Sequence, residues 1–188
     1  MRRVRYNVAA TLDGYIAGPN GEYDWIPEDS TVDFASIFAR VDTVLLGRRS
    51  YEVARAVPEV PWSAGTRVYV FSHTLRPEDH PGVTIVRDDA AGVVASLRAE
   101  SGDGDIWLFG GGVLFADLLA AGQVDAVEVT VAPVLLGEGV RLLPRGVRTV
   151  LTLTGSHVYP SGMVGLYYSV PSADRKGPHA NLLANAPT

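Results

Sequence analysis

The chain has 188 residues, of which 47% are hydrophobic and 20% are charged, a composition typical of one folded domain rather than a disordered chain. Its formal net charge of −5 at pH 7 argues against a nucleic-acid-binding protein, which is normally basic. The sequence contains no Cys, which excludes disulfides, thiolate metal sites and cysteine nucleophiles, and its His residues lack the HExxH spacing, so we expect no metal site.

The first half of the chain alternates predicted strands with predicted helices. Short apolar runs rich in β-branched residues predict strands at Val4–Ala10, Asp42–Leu46, Arg67–Ser72 and Val83–Val86. Residues 15–30 are rich in Gly, Pro and Asn, and this composition predicts turns. Ser30 or Thr31 is expected to cap a helix that ends near Arg40.

Two further helices are predicted in this half. One follows Gly47 and ends at Ala54, and the other is capped by Asp88 or Asp89 and ends near Glu100. They separate consecutive strands in the way that crossover helices do in a parallel sheet.

The second half of the chain ends in strands alone. Strands are predicted at Asp105–Phe109, Val124–Pro133, Val147–Thr154 and Met163–Val170. A helix through Ala121 follows Gly110–Gly112, between the first two of these strands. Residues 171–188 are rich in Ala, Asn and Pro, and we expect them to form a C-terminal tail.

This order of elements predicts an α/β fold, with a mixed sheet, helices on both of its faces and an antiparallel edge near the C-terminus. We expect one domain over residues 1–170 and a tail over residues 171–188. The sequence has no run of about 18 apolar residues, so no membrane-spanning helix is expected and the protein is predicted to be cytoplasmic.

The first candidate binding site follows the predicted strand that ends at Leu46. Gly47, Arg48, Arg49 and Ser50 stand where that strand leads into a helix. Exposed amides at a helix start attract an anion, and a guanidinium matches the oxygens of a phosphate. The alternative is a solvated, charged helix start in which Gly47 is only a turn.

A second candidate is the run Gly110–Gly112, which follows Phe109. Three glycines before a helix permit close approach of a pyrophosphate to the backbone. The run is not a G-x-G-x-x-G fingerprint, because Phe115 stands at the third glycine position. The alternative is a flexible connection.

A third candidate is Ser72-His73-Thr74, with Arg76 close behind. A hydroxyl and an imidazole at a strand end are able to hold a phosphate, although a capping or loop cluster is the alternative. Three strand ends with anion-binding groups, and no accompanying nucleophile or metal site, favour a polyphosphate cofactor that carries its own reactivity.

Several motifs occur in a fixed order along residues 4–170. They are Val8–Ala17, Val44–Glu52, Val70–Leu75, Ile106–Gly112 and Val124–Gly139. In this order they resemble the dihydrofolate reductase-like superfamily, and more closely its branch containing the reductase domain of riboflavin-biosynthesis deaminase–reductases. The resemblance implies that fold in a single domain.

The resemblance also implies NADPH as the cofactor. Gly47, Arg48, Arg49 and Ser50 match the helix start that holds phosphates, and Ser72 and His73 match the strand end near the 2′-phosphate. Gly110, Gly111 and Gly112 match the glycines beside the pyrophosphate and nicotinamide ribose, where the family has a cis Gly–Gly bond. The remaining cofactor positions are Ala9 and Ile16, whose backbone groups match those that hold the carboxamide, and Val113 and Leu114, which follow the glycines. Val113 stands where dihydrofolate reductases often have Arg.

Catalytic residues are also implied by the resemblance. Thr130 matches a strand Thr that pairs with a carboxylate on the first helix, and Asp33 and Asp29 are the candidates for that carboxylate. A buried Asp at this place would have a raised pKa and would hold or deliver a proton. The alternative is that both are ordinary residues of a first helical turn, favoured there by the helix dipole.

The predicted function is therefore an NADPH-dependent reductase that transfers hydride to a C=N bond, or a related carbonyl or imine, of a small heterocycle such as a pterin or pyrimidine. The alternative is a non-catalytic nucleotide-binding or assembly module with the same fold. The resemblance implies a homodimer, and no nucleic-acid or membrane partner is expected.

Overall fold

The computed structural model describes residues 1–57, 60, 62–146 and 148–171. Over these residues the elements, in chain order, are β1 (Val4–Thr11), β2 (Tyr15–Ala17), α1 (Phe34–Phe38), β3 (Val41–Gly47), α2 (Arg48–Ala56), β4 (Arg67–Phe71), a 3₁₀ turn (Pro77–Asp79), β5 (Thr84–Val86), α3 (Ala90–Ala99), β6 (Asp105–Gly110), α4 (Gly112–Ala120), β7 (Ala126–Ala132), β8 (Val140–Arg141), β9 (Thr152–Val158) and β10 (Val164–Ser169). Apart from Pro171, the expected tail lies outside the described residues. Within the described part of the chain, no helix is long and apolar enough to cross a membrane.

Eight strands form one mixed sheet in the order β5-β4-β3-β6-β1-β7-β10-β9. The pairs from β5 to β7 are parallel, whereas β10 is antiparallel to both β7 and β9. The predicted mixed sheet with an antiparallel C-terminal edge is therefore confirmed. The short strands β2 and β8 pair in a second sheet that was not predicted, because two or three residues are too few to show a strand periodicity.

Helices cover both faces of the large sheet, as predicted. On one face α3 and α4 pack against alternate strand residues, and the buried core there includes Tyr6, Leu45, Ile106, Leu108, Phe115 and Leu118. On the other face, which we call the α1 face, α1 and α2 cover a smaller core that includes Val44, Leu46, Tyr51, Val70 and Trp107. Because successive strand residues point to opposite faces, each strand supplies both cores.

Helix α1 begins later and ends earlier than predicted. Its N-cap is Asp33, whose carboxylate accepts a hydrogen bond from the amide of Ser36 at 3.0 Å, so the expected caps Ser30 and Thr31 were wrong. The reason is a competing turn, because the carboxylate of Asp29 accepts from both the amide and the hydroxyl of Thr31. That turn delays the helix by several residues.

Strand β9 is also displaced from its prediction. The sequence favoured Val147–Thr154, whereas the strand runs over Thr152–Val158; Val147 itself lies outside the described residues. β9 is an exposed edge strand whose position is set by pairing with β10, through a register shift between Tyr167 and Tyr168. Pairing of this kind leaves no apolar alternation in the sequence.

Candidate active site

Four neighbouring parallel strands bring the predicted loops to one edge of the sheet. The adjacent strands β4, β3, β6 and β1 end at Phe71, Gly47, Gly110 and Thr11. Gly47 lies opposite Phe71 in the register of β3 with β4, and Leu46 lies opposite Gly110 in β6. At about 4.8 Å between strands, this edge spans roughly 14 Å. We call its three loops the carboxyl edge: Gly47–Ser50, Ser72–Thr74 and Gly110–Gly112.

Bare peptide groups face one another at the centre of this edge. A Cβ atom added to Gly47 would lie 3.5 Å from the amide nitrogen of Gly111. The hydroxyl of Ser50 lies 3.0 Å and 3.3 Å from the positions that Cβ atoms would take on Gly110 and Gly111. The Gly110–Gly111 peptide bond is cis, as the resemblance implies.

Two helices begin at the carboxyl edge. The N-caps of α2 and α4 are Gly47 and Gly111, and neither has a side chain that caps the first-turn amides. Those amides are left to a ligand or water, and the helix dipole favours an anion beside them. The local geometry therefore suits phosphate groups at two adjacent helix starts.

The two arginines of α2 differ in their availability. The guanidinium of Arg48 is bound to the carboxylate of Glu52 at 2.8 Å, and both side chains are nearly half exposed. An exposed pair of this type contributes only about 0.3–0.5 kcal/mol, so Arg48 exchanges its partner at little cost. Arg49 is exposed and makes no hydrogen bond or ion pair with the described residues. Arg49 is therefore free to bind a ligand at the start of α2, and Arg48 is able to exchange Glu52 for one.

Ser72 and His73 do not act as one group. The Ser72 side chain is buried, and its hydroxyl accepts hydrogen bonds from the amides of Thr74 at 3.2 Å and Leu75 at 3.1 Å. The alternative interpretation, a capping cluster, therefore describes Ser72. The imidazole of His73 is 80% exposed and lies 3.8 Å from the carboxylate of Asp88. Of this pair, only His73 projects its side chain toward solvent.

The remaining predicted cofactor residues lie near the same edge in different settings. Ala9 on β1 and Ile16 on β2 are half-buried, whereas Val113 is 55% exposed. The Leu114 side chain is buried in the core beneath α4, so only its backbone is available at the edge. The carboxylate of Asp13 fixes the turn before Ile16, because it accepts hydrogen bonds from the amides of loop residues 136 and 137.

A second set of polar side chains lies on the α1 face of β1, β7 and β10. In the register of these strands, Ala9, Thr130 and Gly165 form one row across the sheet. The next row is formed by Asn7, Glu128 and Tyr167. Residues directly opposite one another in adjacent strands project to the same face. We call these six residues, together with Arg5 and Tyr159, the polar face.

A buried ion pair supports the polar face. The guanidinium of Arg5 binds Glu128 through two hydrogen bonds of 2.9 Å and 2.7 Å, and it also reaches Asp105 at 3.1 Å. The amide nitrogen of the Asn7 side chain donates to Glu128 at 2.9 Å. Burial acts to raise the pKa of Glu128, but the hydrogen bonds from Arg5 and Asn7 outweigh it and hold that pKa below its ordinary value. Glu128 is therefore an anion, and both of its carboxylate oxygens already accept hydrogen bonds.

Neither predicted catalytic carboxylate is in the setting that was expected for it. The Asp33 carboxylate is exposed and caps α1, and its hydrogen bonds from Ser36 lower its pKa. The Asp29 carboxylate accepts hydrogen bonds from Thr31 and from the amide of Ser161, which hold its pKa well below the ordinary value. The expectation of a buried Asp with a raised pKa was therefore wrong for both residues. Thr130 is half-buried on the polar face, whereas the carboxylates of Asp29 and Asp33 accept hydrogen bonds from Thr31, Ser161 and Ser36.

Sequence reasoning did not single out Glu128, Asn7 or Tyr167. A signal existed for two of them, because each is a polar residue flanked on at least one side by apolar residues inside a strand: Asn7 in β1 and Glu128 in β7. Polar residues that are buried in strands need partners, so they point to a shared network. Nothing in the local sequence of Tyr167 shows which face of the sheet it joins.

Comparison with known proteins gives consistent matches over nearly the whole described domain. The family model of the RibD C-terminal domain matches residues 2–165. The uncharacterized protein YyaP of Bacillus subtilis (strain 168) is 33% identical over 179 residues, which cover 89% of this chain and 94% of YyaP.

Solved structures show the same fold. A protein named for riboflavin biosynthesis from Shewanella sp. PV-4 superposes with a TM-score of 0.75 at 27% identity, covering 91% of this chain and 99% of its own. A diaminohydroxyphosphoribosylaminopyrimidine deaminase/5-amino-6-(5-phosphoribosylamino)uracil reductase from Thermotoga maritima superposes with a TM-score of 0.67 at 18% identity, covering 90% of this chain and 57% of its own. The predicted dihydrofolate reductase-like fold of the riboflavin branch is therefore confirmed.

Proposed function

The chain belongs to the RibD C-terminal domain family, and from that membership we propose that it is an NADPH-dependent reductase of a small heterocyclic substrate. The observation that carries the proposal is the meeting of two uncapped helix starts, three glycines and two available arginines at the carboxyl edge. A family of reductases and a phosphate-binding edge point to the same class of cofactor.

The carboxyl edge fits a dinucleotide phosphate. Cβ atoms on Gly110 and Gly111 would close the space beside the Ser50 hydroxyl, so the glycines keep a cradle open there. The first-turn amides of α2 and α4 face this cradle without side-chain caps, and they are donors for phosphate oxygens. Arg49 adds an exposed cation at the start of α2.

The roles of the chain's own residues follow from this placement. Gly47–Ser50 and Gly110–Gly112 would bind the phosphates, with His73 and the two arginines near the 2′-phosphate. The backbones of Ala9 and Ile16 would hold the carboxamide, which sets the nicotinamide beside the polar face. NADPH supplies the hydride when it is bound, and the protein supplies binding and orientation.

The proposed substrate is a heterocycle with a C=N bond or a related carbonyl or imine. A pyrimidine is favoured over a pterin, since the Thermotoga maritima protein with the same fold is named as a reductase of a uracil derivative. Such a ring would lie against Thr130 on the polar face, next to the nicotinamide position.

The proposal is tested by thermal unfolding with NADPH and with NADH. A ligand at 100 times its Kd stabilises a protein by about 2.7 kcal/mol, which raises the Tm of a domain this size by roughly 5–11 °C. The double variant Arg48→Ala/Arg49→Ala is expected to keep the wild-type Tm without ligand and to lose the preference for NADPH over NADH. Arg40→Ala is the matched control, because Arg40 is an exposed arginine at the start of β3, on the opposite edge of the sheet.

Two results would contradict the proposal. One is a Tm that does not respond to NADPH, and the other is a double variant that keeps its preference. Turnover separates an enzyme from the alternative, a non-catalytic nucleotide-binding or assembly module. Loss of NADPH absorbance with a panel of pyrimidinones, pterins and imines is expected only of a reductase.

We also propose that the protein works as a homodimer, which the family resemblance implies, and that it does so in the cytoplasm, as the sequence predicts. Sedimentation equilibrium at micromolar concentration is expected to give twice the chain mass of 20.1 kDa. A single species at the chain mass would contradict the dimer without affecting the cofactor site.

A further inference from the structure

We infer that the hydroxyls of Tyr167 and Tyr159, together with Thr130, bind the substrate by a neutral lactam edge, a carbonyl next to a ring N–H. The inference rests on the proposed function, because that function places the substrate on the polar face. It assigns substrate contacts to two tyrosines that come from β10 and from the turn before it.

The position of Tyr167 depends on the missing side chain of Gly165. Tyr167 and Gly165 are two residues apart on β10 and share one face, and a Cβ on Gly165 would lie 3.0 Å from the Tyr167 hydroxyl. The Tyr167 side chain therefore leans over Gly165 toward the row that contains Thr130 and Ala9. This places the hydroxyl on the side of the sheet where the nicotinamide is proposed.

Tyr159 contacts the Tyr167 hydroxyl from the turn that precedes β10. Its ring is buried with Ala132 and Met163, and its hydroxyl lies 3.5 Å from that of Tyr167. Hydroxyl pairs usually hydrogen-bond at 2.5–3.0 Å, so this bond is long and yields readily to a better partner. Tyr167 and Thr130 are half-buried, which leaves both accessible to a ligand.

The hydrogen-bond donors and acceptors of these three hydroxyls determine which ligand groups they complement. Two tyrosine hydroxyls carry two protons, and their mutual bond uses one of them, so one donor and several lone pairs stay available. Thr130 adds another donor and acceptor. The hydrogen bond between the two hydroxyls, together with burial, raises the pKa of Tyr167 to about 12, so Tyr167 stays protonated throughout the neutral range. A carbonyl next to an N–H group complements this mixture of donors and acceptors.

The carboxylates near the polar face already have hydrogen-bond partners, so they are not available to bind a cationic ligand. Glu128 is occupied by Arg5 and Asn7, and Asp29 is occupied by Thr31 and the amide of Ser161. A free carboxylate accepts only, and it would select the donor-only edge of a protonated amidine. Without one, the site favours an uncharged uracil-like ring over a cationic diaminopyrimidine.

The test measures binding of 5,6-diaminouracil to NADP⁺-saturated protein by isothermal titration calorimetry. Tyr167→Phe is expected to raise its Kd roughly 3- to 10-fold, the loss of one hydrogen bond, and Gly165→Ala is expected to raise it as well because it displaces the same hydroxyl. Tyr168→Phe is the matched control, since Tyr168 is the next residue of β10 and packs on the opposite face. The Kd for NADP⁺ is expected to stay unchanged in all variants.

A second ligand tests the selectivity. 2,4-Diaminopyrimidine, whose protonated edge presents donors only, is expected to bind at least tenfold more weakly than diaminouracil. The inference is overturned by equal or tighter binding of diaminopyrimidine, by no binding of diaminouracil to the wild type, or by wild-type affinity in Tyr167→Phe. If NADP⁺ itself does not bind, the proposed function fails together with the inference. If NADP⁺ binds but Tyr167→Phe keeps the wild-type Kd for diaminouracil, only the inference fails.

Discussion

The carboxyl edge and the polar face lie next to each other, but they are built from different parts of the polypeptide. At the carboxyl edge the groups that would bind the proposed cofactor are peptide amides and arginine side chains, as in Gly47–Ser50 and Gly110–Gly112. On the polar face they are side chains from three strands, supported by a buried ion pair between Arg5 and Glu128.

Because of this difference, we expect side-chain substitutions at the carboxyl edge to affect mainly ligand binding, and substitutions on the polar face to affect stability as well. Exposed charges such as Arg49 contribute little to folding, so the carboxyl edge is able to lose a side chain and keep its fold. A buried charge such as Glu128 depends on its partner, so a change on the polar face alters the free energy of unfolding as well as the ligand contacts. The predictions below are ordered by the size of the effect that this contrast implies.

Replacement of Arg5 is expected to have the largest effect. The side chains of Arg5 and Glu128 are 19% and 9% exposed, and Arg5→Met leaves the Glu128 carboxylate buried without its cation. We expect the free energy of unfolding to fall by about 3–5 kcal/mol, measured by urea denaturation.

The control for this prediction is an ion pair of the same type at the surface. Arg145→Met removes the partner of Asp117 in a pair whose side chains are 64% and 52% exposed, and it is expected to cost about 0–1 kcal/mol. If the two variants lose equal stability, the polar face does not depend on its buried ion pair.

Substitution of Gly112 is expected to have the next largest effect. A Cβ on Gly112 would run into the carbonyl oxygen of Arg141 and lie 2.9 Å from Pro144, so the start of α4 would have to move away from β8. We expect Gly112→Ala to lower the free energy of unfolding by about 1–3 kcal/mol and to weaken NADPH binding.

Gly155→Ala is the matched control for that variant. A Cβ on Gly155 would meet Tyr167 at an ordinary 3.6 Å, and we expect a stability change within about 0.5 kcal/mol. Wild-type NADPH affinity in Gly112→Ala would show that the carboxyl edge tolerates backbone movement, against the fixed cradle described above.

The smallest effect is expected from Asp29→Asn, and it depends on pH. The folded-state pKa of Asp29 is lowered by Thr31 and Ser161, so its stabilising contribution is complete above the unfolded pKa of about 3.9 and is lost as the pH falls through the folded pKa. The wild type is expected to be more stable than the variant by the same amount at pH 7 and pH 5, and by less at pH 3.

Unfolding midpoints across this pH range measure the difference, with Asp24→Asn, an exposed carboxylate of the same loop, as the control. A stability difference that persists unchanged to pH 2 would show that the tether between Asp29 and Ser161 does not depend on the charge.

Most elements of the fold could be predicted because their signals are local. The apolar runs of β1, β3 and β6 and the capping residue Asp89 of α3 are visible within a few residues. The failures were elements whose ends depend on distant contacts. Asp29 holds the turn that delays α1, and β10 sets the position of β9.

The carboxyl edge and the polar face also differed in how far they could be predicted from local sequence. The glycines and arginines of the carboxyl edge were identified by residue type, since their chemistry belongs to the backbone and to helix starts. On the polar face only Ala9 and Thr130 were named, and their association with Gly165 was missed, because it arises only through pairing between strands that are far apart in the chain.

Local sequence thus accounts for where the chain turns, which amides are left without caps and which loops carry arginine, because a backbone conformation and a helix start are properties of a few consecutive residues. Long-range strand pairing accounts for which side chains meet. A shift of one residue in the register of β10 would turn Tyr167 to the opposite face, away from Glu128 and Thr130, and no local pattern records that register.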